Sequence, residues 1–309
     1  MRRDPAGRPV ARRRGCGALA GAHAAVIRVI LGLCLLLLAG VADAAELKLS
    51  TWNLEWLTLR RQGDPVLPAD VVPKTAEDRA LLRRYAAMLN ADIVALQEVD
   101  GPEAAAELFP PERYALYFTS DHVIQRVGFA VRRGITVHQN PDVVALDVTP
   151  DAPFRLRSGA DITVEIGGNR LRLLDVHLKS GCHEQKLTNT GRTCETLRRQ
   201  IAPLQGWIAQ RLEEGVPFVL MGDFNRRMDG RDDLFAALNR AAPLLRTTEG
   251  RASSCWGGNS FIDHIMLGGA ARAWMVPDSL RVLVYREGAE MKEHLSDHCP
   301  VSVRLDLPE

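Results

Sequence analysis

The chain has no CxxC pair and no histidine cluster, so nothing in it supports a structural zinc site. It has no internal repeat and, after residue 45, no low-complexity linker, which leaves a single domain over residues 45–309 as the simplest organisation. No apolar run reaches the ~20 residues that a membrane-spanning helix needs. No long aromatic hairpin suited to membrane insertion is present. Acidic residues are scarce at the start: the first 44 residues hold seven Arg, no Lys, and only Asp4 and Asp43.

That basic opening leads into Val29 to Val41, which is nearly all apolar, and then into Ala42-Asp43-Ala44. A positive region, a short apolar run and small residues around a cleavage point describe a secretory signal peptide over residues 1–44. No Cys follows the small residues, which argues against a lipoprotein. The expected product is exported, either periplasmic or secreted. The whole chain carries +1 and its first 44 residues carry +5, so the mature protein is formally −4. This argues against a broad basic surface for nucleic acid. It leaves room for an enzyme whose bound cations offset a substrate's phosphates.

Export also sets the redox environment. Cys182, Cys194, Cys255 and Cys299 remain after cleavage and allow three pairings. Cys182 and Cys194 flank a short polar stretch and are expected to form a disulfide; Cys255–Cys299 is the remaining pair.

With 46% hydrophobic and 25% charged residues the chain can build an ordinary globular core. Leu47 to Asn53 alternates as a strand. Thr75 followed by Asp78 predicts a capping box for a helix to Asn90. Ile93 to Gln97, Tyr114 to Thr119, Val127 to Val131 and Ile135 to His138 read as strands. So do Ile162 to Ile166 and Leu171 to Leu178, around the Gly167-Gly168-Asn169 turn. Cys194 to Leu212 reads as one long helix; Phe218 to Met221, Ile262 to Leu267, Leu280 to Tyr285 and Cys299 to Leu305 read as strands. Many strands with few helices predict two packed sheets with helices outside.

Polar residues recur where these apolar runs end. Asn53 and Glu55 follow the first strand and Glu98 the second. His177 lies in Asp175-Val176-His177, and Asp223 and Asn225 follow Val219-Leu220-Met221-Gly222. Asp263 lies in Phe261-Ile262-Asp263-His264, and Asp297 and His298 precede Cys299-Pro300. Six such sites point to one shared cleft.

Taken in order, Asn53, Gln97-Glu98, His177, Gly222-Asp223-Phe224-Asn225, Asp263 and Ser296-Asp297-His298 resemble the endonuclease/exonuclease/phosphatase superfamily, the deoxyribonuclease I-like fold. The resemblance runs from Leu47 to Leu305. It implies a four-layer α/β/β/α sandwich of two mixed sheets with outer helices. It also implies a hydrolase of phosphodiesters dependent on Mg²⁺, with Mn²⁺ or Ca²⁺ as substitutes. Glu98, Asn53 and Asp297 would hold the cation. Asp223 would activate water, Asn225 would donate to the phosphorane, and His298 held by Asp263 would move a proton. His177 and Arg157 would meet a substrate phosphate. The related deoxyribonucleases pair the His177 equivalent with a Glu; Gln125 stands in the matching position here and is expected to orient His177.

Glu55, Trp52, Trp56, Trp256, Lys179, Arg198, Arg199, His183 and His264 are read as surface, wall or core residues. The expected substrate is nucleic acid. The alternatives are a lipid head group or small phosphoester, and a catalytically inactive binding module. A monomer is expected, since no feature points to a protein partner.

Overall fold

A computed structural model describes residues 45–308; the signal-peptide reading of residues 1–44 lies outside the described residues. Two six-stranded sheets face each other. In the first the strand order is β11-β12-β1-β2-β4-β3, and in the second β5-β6-β7-β8-β10-β9. Here β1 is Glu46–Leu57, β2 Ile93–Val99, β3 Tyr114–Phe118, β4 Arg126–Arg132, β11 Arg281–Val282 and β12 Val301–Asp306. The second sheet comprises β5 (Thr136–Gln139), β6 (Ala160–Ile166), β7 (Asn169–His177), β8 (Phe218–Asp223), β9 (Leu244–Arg246) and β10 (Asp263–Gly268). The β1–β2 and β7–β8 pairs are parallel and the rest antiparallel, so both sheets are mixed.

Strand alternation builds the layers. Leu47 and Leu49 of β1, Ile93 of β2, Leu173 of β7, Met221 of β8 and Ile265 of β10 meet between the sheets. The intervening residues Trp52, Val94 and Leu96 face outward onto α1 (Ala76–Leu89) and α2 (Pro102–Ala106). On the far side Leu174, Leu220 and Met266 pack beneath α3 (Arg192–Arg199), α4 (Ile201–Glu213) and α5 (Asp233–Ala241). Each fully buried Leu, Ile or Phe contributes about 1.5–3 kcal/mol of hydrophobic stabilisation. Helix, sheet, sheet and helix give the expected α/β/β/α sandwich.

One buried polar link ties the sheets together below their polar edge. Asp175 on β7 accepts from Gln97 Nε2 on β2 at 2.6 Å and from the Gly128 N–H on β4 at 3.1 Å. Burial pushes the Asp175 carboxyl well above the usual carboxylate range.

The capping box at Thr75 forms as expected, with Thr75 and Asp78 bonded reciprocally. The long helix over Cys194 to Leu212 does not form as one piece. It breaks at Gln200 into α3 and α4. Pro203 lacks the N–H that would bond to the Arg199 carbonyl, and Gln200 turns inward to accept from the Lys179 N–H and donate to the Leu146 carbonyl. Of the strand read over Leu280 to Tyr285, only Arg281–Val282 pairs. Beyond it Tyr285 serves the helix-side core, accepting from Trp52 Nε1 at 2.9 Å.

Candidate active site

The alternation that fills the core also builds the site. On β1, β7, β8 and β10 the inward positions run from Leu49, Leu173, Met221 and Ile265 to Asn53, His177, Asp223 and Asp263. Pairing then aligns these ends: Asn53 stands beside Gln97, His177 beside Asp223, and Asp263 beside Asp223. Gly222 lets β7 and β8 approach, because at its φ of +134° a Cβ would collide with the Val176 carbonyl.

The backbone departs from extended geometry where the strands end. Glu55, Trp56, Glu98 and Asn225 all have left-handed φ, at 41°, 58°, 57° and 50°. Such conformations cost of order 1 kcal/mol or more each for residues with a Cβ and gather where function fixes a side chain. In β1 the bend coincides with a register shift between Asn53 and Leu57.

Asp223 is the centre of the hydrogen bonding. Its Oδ1 accepts from the Asn225 N–H at 2.7 Å. Its Oδ2 accepts from Asn53 Nδ2 and Asn225 Nδ2, each at 3.1 Å. That oxygen lies 3.8 Å from His298 Nε2 and 3.5 Å from His177 Nε2. His298 Nδ1 donates to Asp263 Oδ2 at 2.8 Å, so the carboxylate fixes the ring and leaves Nε2 facing Asp223. Burial opposes a charge on His298, but Asp263, Asp223 and Asp297 outweigh it and push the imidazole well above the usual histidine value. Burial raises Asp223 to about 7, against the pull of His298. His177 differs: burial, with Arg157 and His298 nearby, holds it well below the usual value and therefore neutral.

A second acidic group sits beside this one. Glu98 Oε1 accepts from Asn53 Nδ2 at 3.2 Å, and Glu55 Oε2 accepts from the Asp297 N–H at 2.8 Å. Burial raises Glu55 to about 7, helped by Asp297 and Glu98. The buried Lys74 donates to the Glu55 carbonyl at 2.6 Å, and burial lowers its own pKa despite the surrounding carboxylates. Three crowded carboxylates around one buried ammonium leave an excess of hard oxygen donors, the set that suits a cation such as Mg²⁺. Asn53 Oδ1, which accepts only the Glu55 N–H at 2.9 Å, keeps a free lone pair. Asp223, Asp263 and His298 also bring one ligand atom each within 4.8 Å of one another. In that trio Asp263 is already engaged by the His298 ring.

These residues open into a cleft of 720 Å³ lined by Glu98, Arg157, His177, Asp223, Asn225, Asp297 and His298. Asp263 lines an adjoining 210 Å³ hollow on the far side of His298, and Asn53 lies buried underneath. The site candidates therefore converge, and the Cys182–Cys194 disulfide ties the loop after β7 to the first turn of α3. Cys255 and Cys299 form a second one, tying the 253–260 loop to the segment that carries His298.

Gln125 does not orient His177. It donates to Glu98 Oε2 and accepts from Arg157 Nη2 at 3.1 Å, which leaves His177 Nδ1 buried without a partner. Arg157 is buried behind the site, with Nη1 donating to the His177 carbonyl at 3.3 Å. Lys179 is half-buried at the cleft rather than fully solvated, and His183 also reaches it, donating through Nδ1 to the Asn225 carbonyl at 2.9 Å. His264 faces the other way, as its place in the strand requires. Lys74, Asp175 and Arg226 escaped the sequence reading. Arg226 is buried against Asp232 at 2.7 Å and clamps the Cys182 and Gln185 carbonyls beside Asn225. No periodicity announces any of the three; a lysine just before a helix cap, as at Lys74, is ordinary on a surface.

Comparison with known proteins agrees with the fold. The fold is similar to that of D. rerio TDP2 complexed with single-strand DNA product, at 18% identity and TM-score 0.57, covering 84% of this chain and 98% of that one. It is similar to the human Nocturnin catalytic domain with bound sulfate, at 16% identity and TM-score 0.54, covering 84% and 93%. It is also similar to the Neisseria 3′ phosphatase NExo bound to a product DNA hairpin, at 20% identity and TM-score 0.55, covering 84% and 99%. A search of curated protein sequences finds no match. The sequence profile of the Endonuclease/Exonuclease/phosphatase family matches residues 50–298, most of the chain, and the protein belongs to that family.

Proposed function

We propose that the protein is an exported, divalent-metal-dependent phosphodiester hydrolase acting on nucleic acid. The observation that carries this reading is the facing of Asp223 and the His298–Asp263 pair, 3.8 Å apart, beside the Glu98 carboxylate group. A cation held by Glu98, Asn53 and Asp297 would neutralise the phosphate and polarise it toward attack.

The protein's own groups do the rest. Asp223 near pH 7 is a competent base and takes a proton from the attacking water. As the new P–O bond forms and the bond to the leaving oxygen breaks, protonated His298 supplies the proton that oxygen needs. Asp263 holds the ring and its positive charge throughout. His177, being neutral, serves as a hydrogen-bond donor to a phosphate oxygen rather than as an acid. Both Asn225 amide hydrogens are engaged, by Leu178 O and Asp223, so in the free protein Asn225 positions Asp223. It would donate to the phosphorane only on releasing one of them.

Two observations support nucleic acid as substrate. Lys179, half-buried at the cleft, forms no ion pair among the described residues and can meet a phosphate. Two proteins of similar fold hold DNA products. Two disulfides, and the absence among the described residues of any helix long and apolar enough to cross a membrane, agree with export. The test is the purified mature protein with Mg²⁺ against plasmid DNA, RNA, sphingomyelin and a bis-aryl phosphodiester. Cleavage of DNA or RNA is expected. Cleavage of sphingomyelin alone would move the assignment to a lipid phosphodiesterase, and no cleavage of any would make the chain a binding module.

A further inference from the structure

The cleft adjoins a 410 Å³ hollow lined by both apolar and polar side chains. The two share Trp56, Pro68 and Phe154, and Pro65, Val66 and Pro153 extend the wall. Phe154 is 87% exposed and Val66 59%. A phenylalanine ring left in water is unfavourable, and a contiguous exposed apolar patch next to an active site marks a binding surface.

Phe154 is also held in place. It sits on the loop between Asp147 and Leu156, and the buried Asp147 carboxylate fastens both ends of that loop. It accepts from the Thr149 N–H at 3.2 Å, the Leu156 N–H at 3.1 Å and Arg155 Nε at 2.8 Å. The loop that carries Phe154 is therefore tied down at both ends before binding.

We propose that Phe154 is a stacking platform for an unpaired nucleobase next to the scissile phosphate, and that it makes the enzyme selective for single-stranded nucleic acid. The proposal rests on the nuclease reading and names its substrate class. The chemistry of the hollow favours a base over an acyl chain. His122, Gln125, Arg155 and Arg157 line it together with the apolar residues. A base has a flat π face for the ring and polar edges for His122 and Arg155. An acyl chain would strip water from them and return no hydrogen bonds. Charge agrees as well: Lys179 lines the same cleft as Phe154 and the carboxylates and offers a cation to a strand's phosphates. A base inside a duplex has both faces covered by its neighbours, so only an unstacked base can use the platform.

The test compares wild type with Phe154→Ala, Phe154→Leu and Phe154→Trp on a single-stranded oligonucleotide, its duplex and a bis-aryl phosphodiester. Base stacking on an aromatic side chain is lost on truncation by roughly 5- to 100-fold. Phe154→Ala and Phe154→Leu should both lose that much kcat/KM on the single strand, Phe154→Trp should keep it, and turnover of the bis-aryl diester should not change. Wild-type rates from Phe154→Ala on the single strand, or retention by Phe154→Leu, would overturn the platform. An equal loss on all three substrates would overturn it too, since the residue would then serve the fold. Failure of the wild type to cut any nucleic acid while it turns over the bis-aryl diester would sink the nuclease reading itself, and a Phe154→Leu variant fully active on sphingomyelin vesicles would then assign the wall to an acyl chain.

Discussion

His298 and Asp263 are joined by a 2.8 Å hydrogen bond although 35 residues separate them in the chain. If Asp263 acts by holding this ring and its charge, the two work as one unit. Asp263→Asn and His298→Ala should each lower kcat by about 10²–10⁴-fold, and the double variant should be little worse than His298→Ala. Steady-state kinetics on a bis-aryl phosphodiester decides it. Losses that multiply would show that the two residues act independently.

Chelation should abolish turnover. Glu98, Glu55 and Asp297 crowd together with one buried lysine for relief, so EDTA is expected to remove activity and Mg²⁺ or Mn²⁺ to restore it. Binding of the ion should also raise the melting temperature of the wild type, and Glu98→Gln should reduce that rise. Full turnover in chelator would be incompatible with the proposed chemistry.

His264 should make the fold sensitive to mild acid. Its Nε2 donates to the Arg226 carbonyl at 2.9 Å, and its Nδ1 accepts from the Thr248 hydroxyl at 2.6 Å. Burial lowers its pKa to about 4. The unfolded chain takes up a proton near pH 6.5 while the folded protein does not, so stability present above that pH falls as the pH drops toward 4. The loss is on the order of 3 kcal/mol. Urea unfolding at pH 7 and pH 4.5 measures it, and His264→Gln should flatten this part of the profile. An unchanged slope in that variant would mean other groups cause the acid sensitivity.

Each disulfide should resist loss differently. Cys182–Cys194 closes a 12-residue separation and Cys255–Cys299 one of 44, for which loop entropy gives about 3 and 4 kcal/mol. Non-reducing peptide mapping should find both pairs. Replacing Cys255 and Cys299 with Ala should lower kcat as well as stability, because the bridge anchors the segment carrying His298. A stability loss with kcat intact would limit that bridge to the fold.

The sequence by itself determined two packed sheets with outer helices and a cleft where polar residues end the strands, while the four-layer order and the site roles came from its resemblance to a family. Strand alternation carries Leu49 to Asn53, Leu173 to His177, Met221 to Asp223 and Ile265 to Asp263, so a polar residue that keeps the inward phase of an apolar strand must emerge at the edge of the core. That is a local rule, readable without coordinates. What only the tertiary structure decided are pairings across large separations, where no period links the partners. Asn53 meets Asp223 across 170 residues, Ser296 meets the Asn53 carbonyl across 243, and Gln125 turns to Glu98 instead of His177. Lys74 reads as an ordinary surface lysine until β1 bends over it, and Phe154 as an ordinary loop residue until its exposure beside the cleft is seen. The break at Gln200 lies between these cases. Pro203 signalled it locally, but the inward turn of Gln200 depends on partners 21 and 54 residues away.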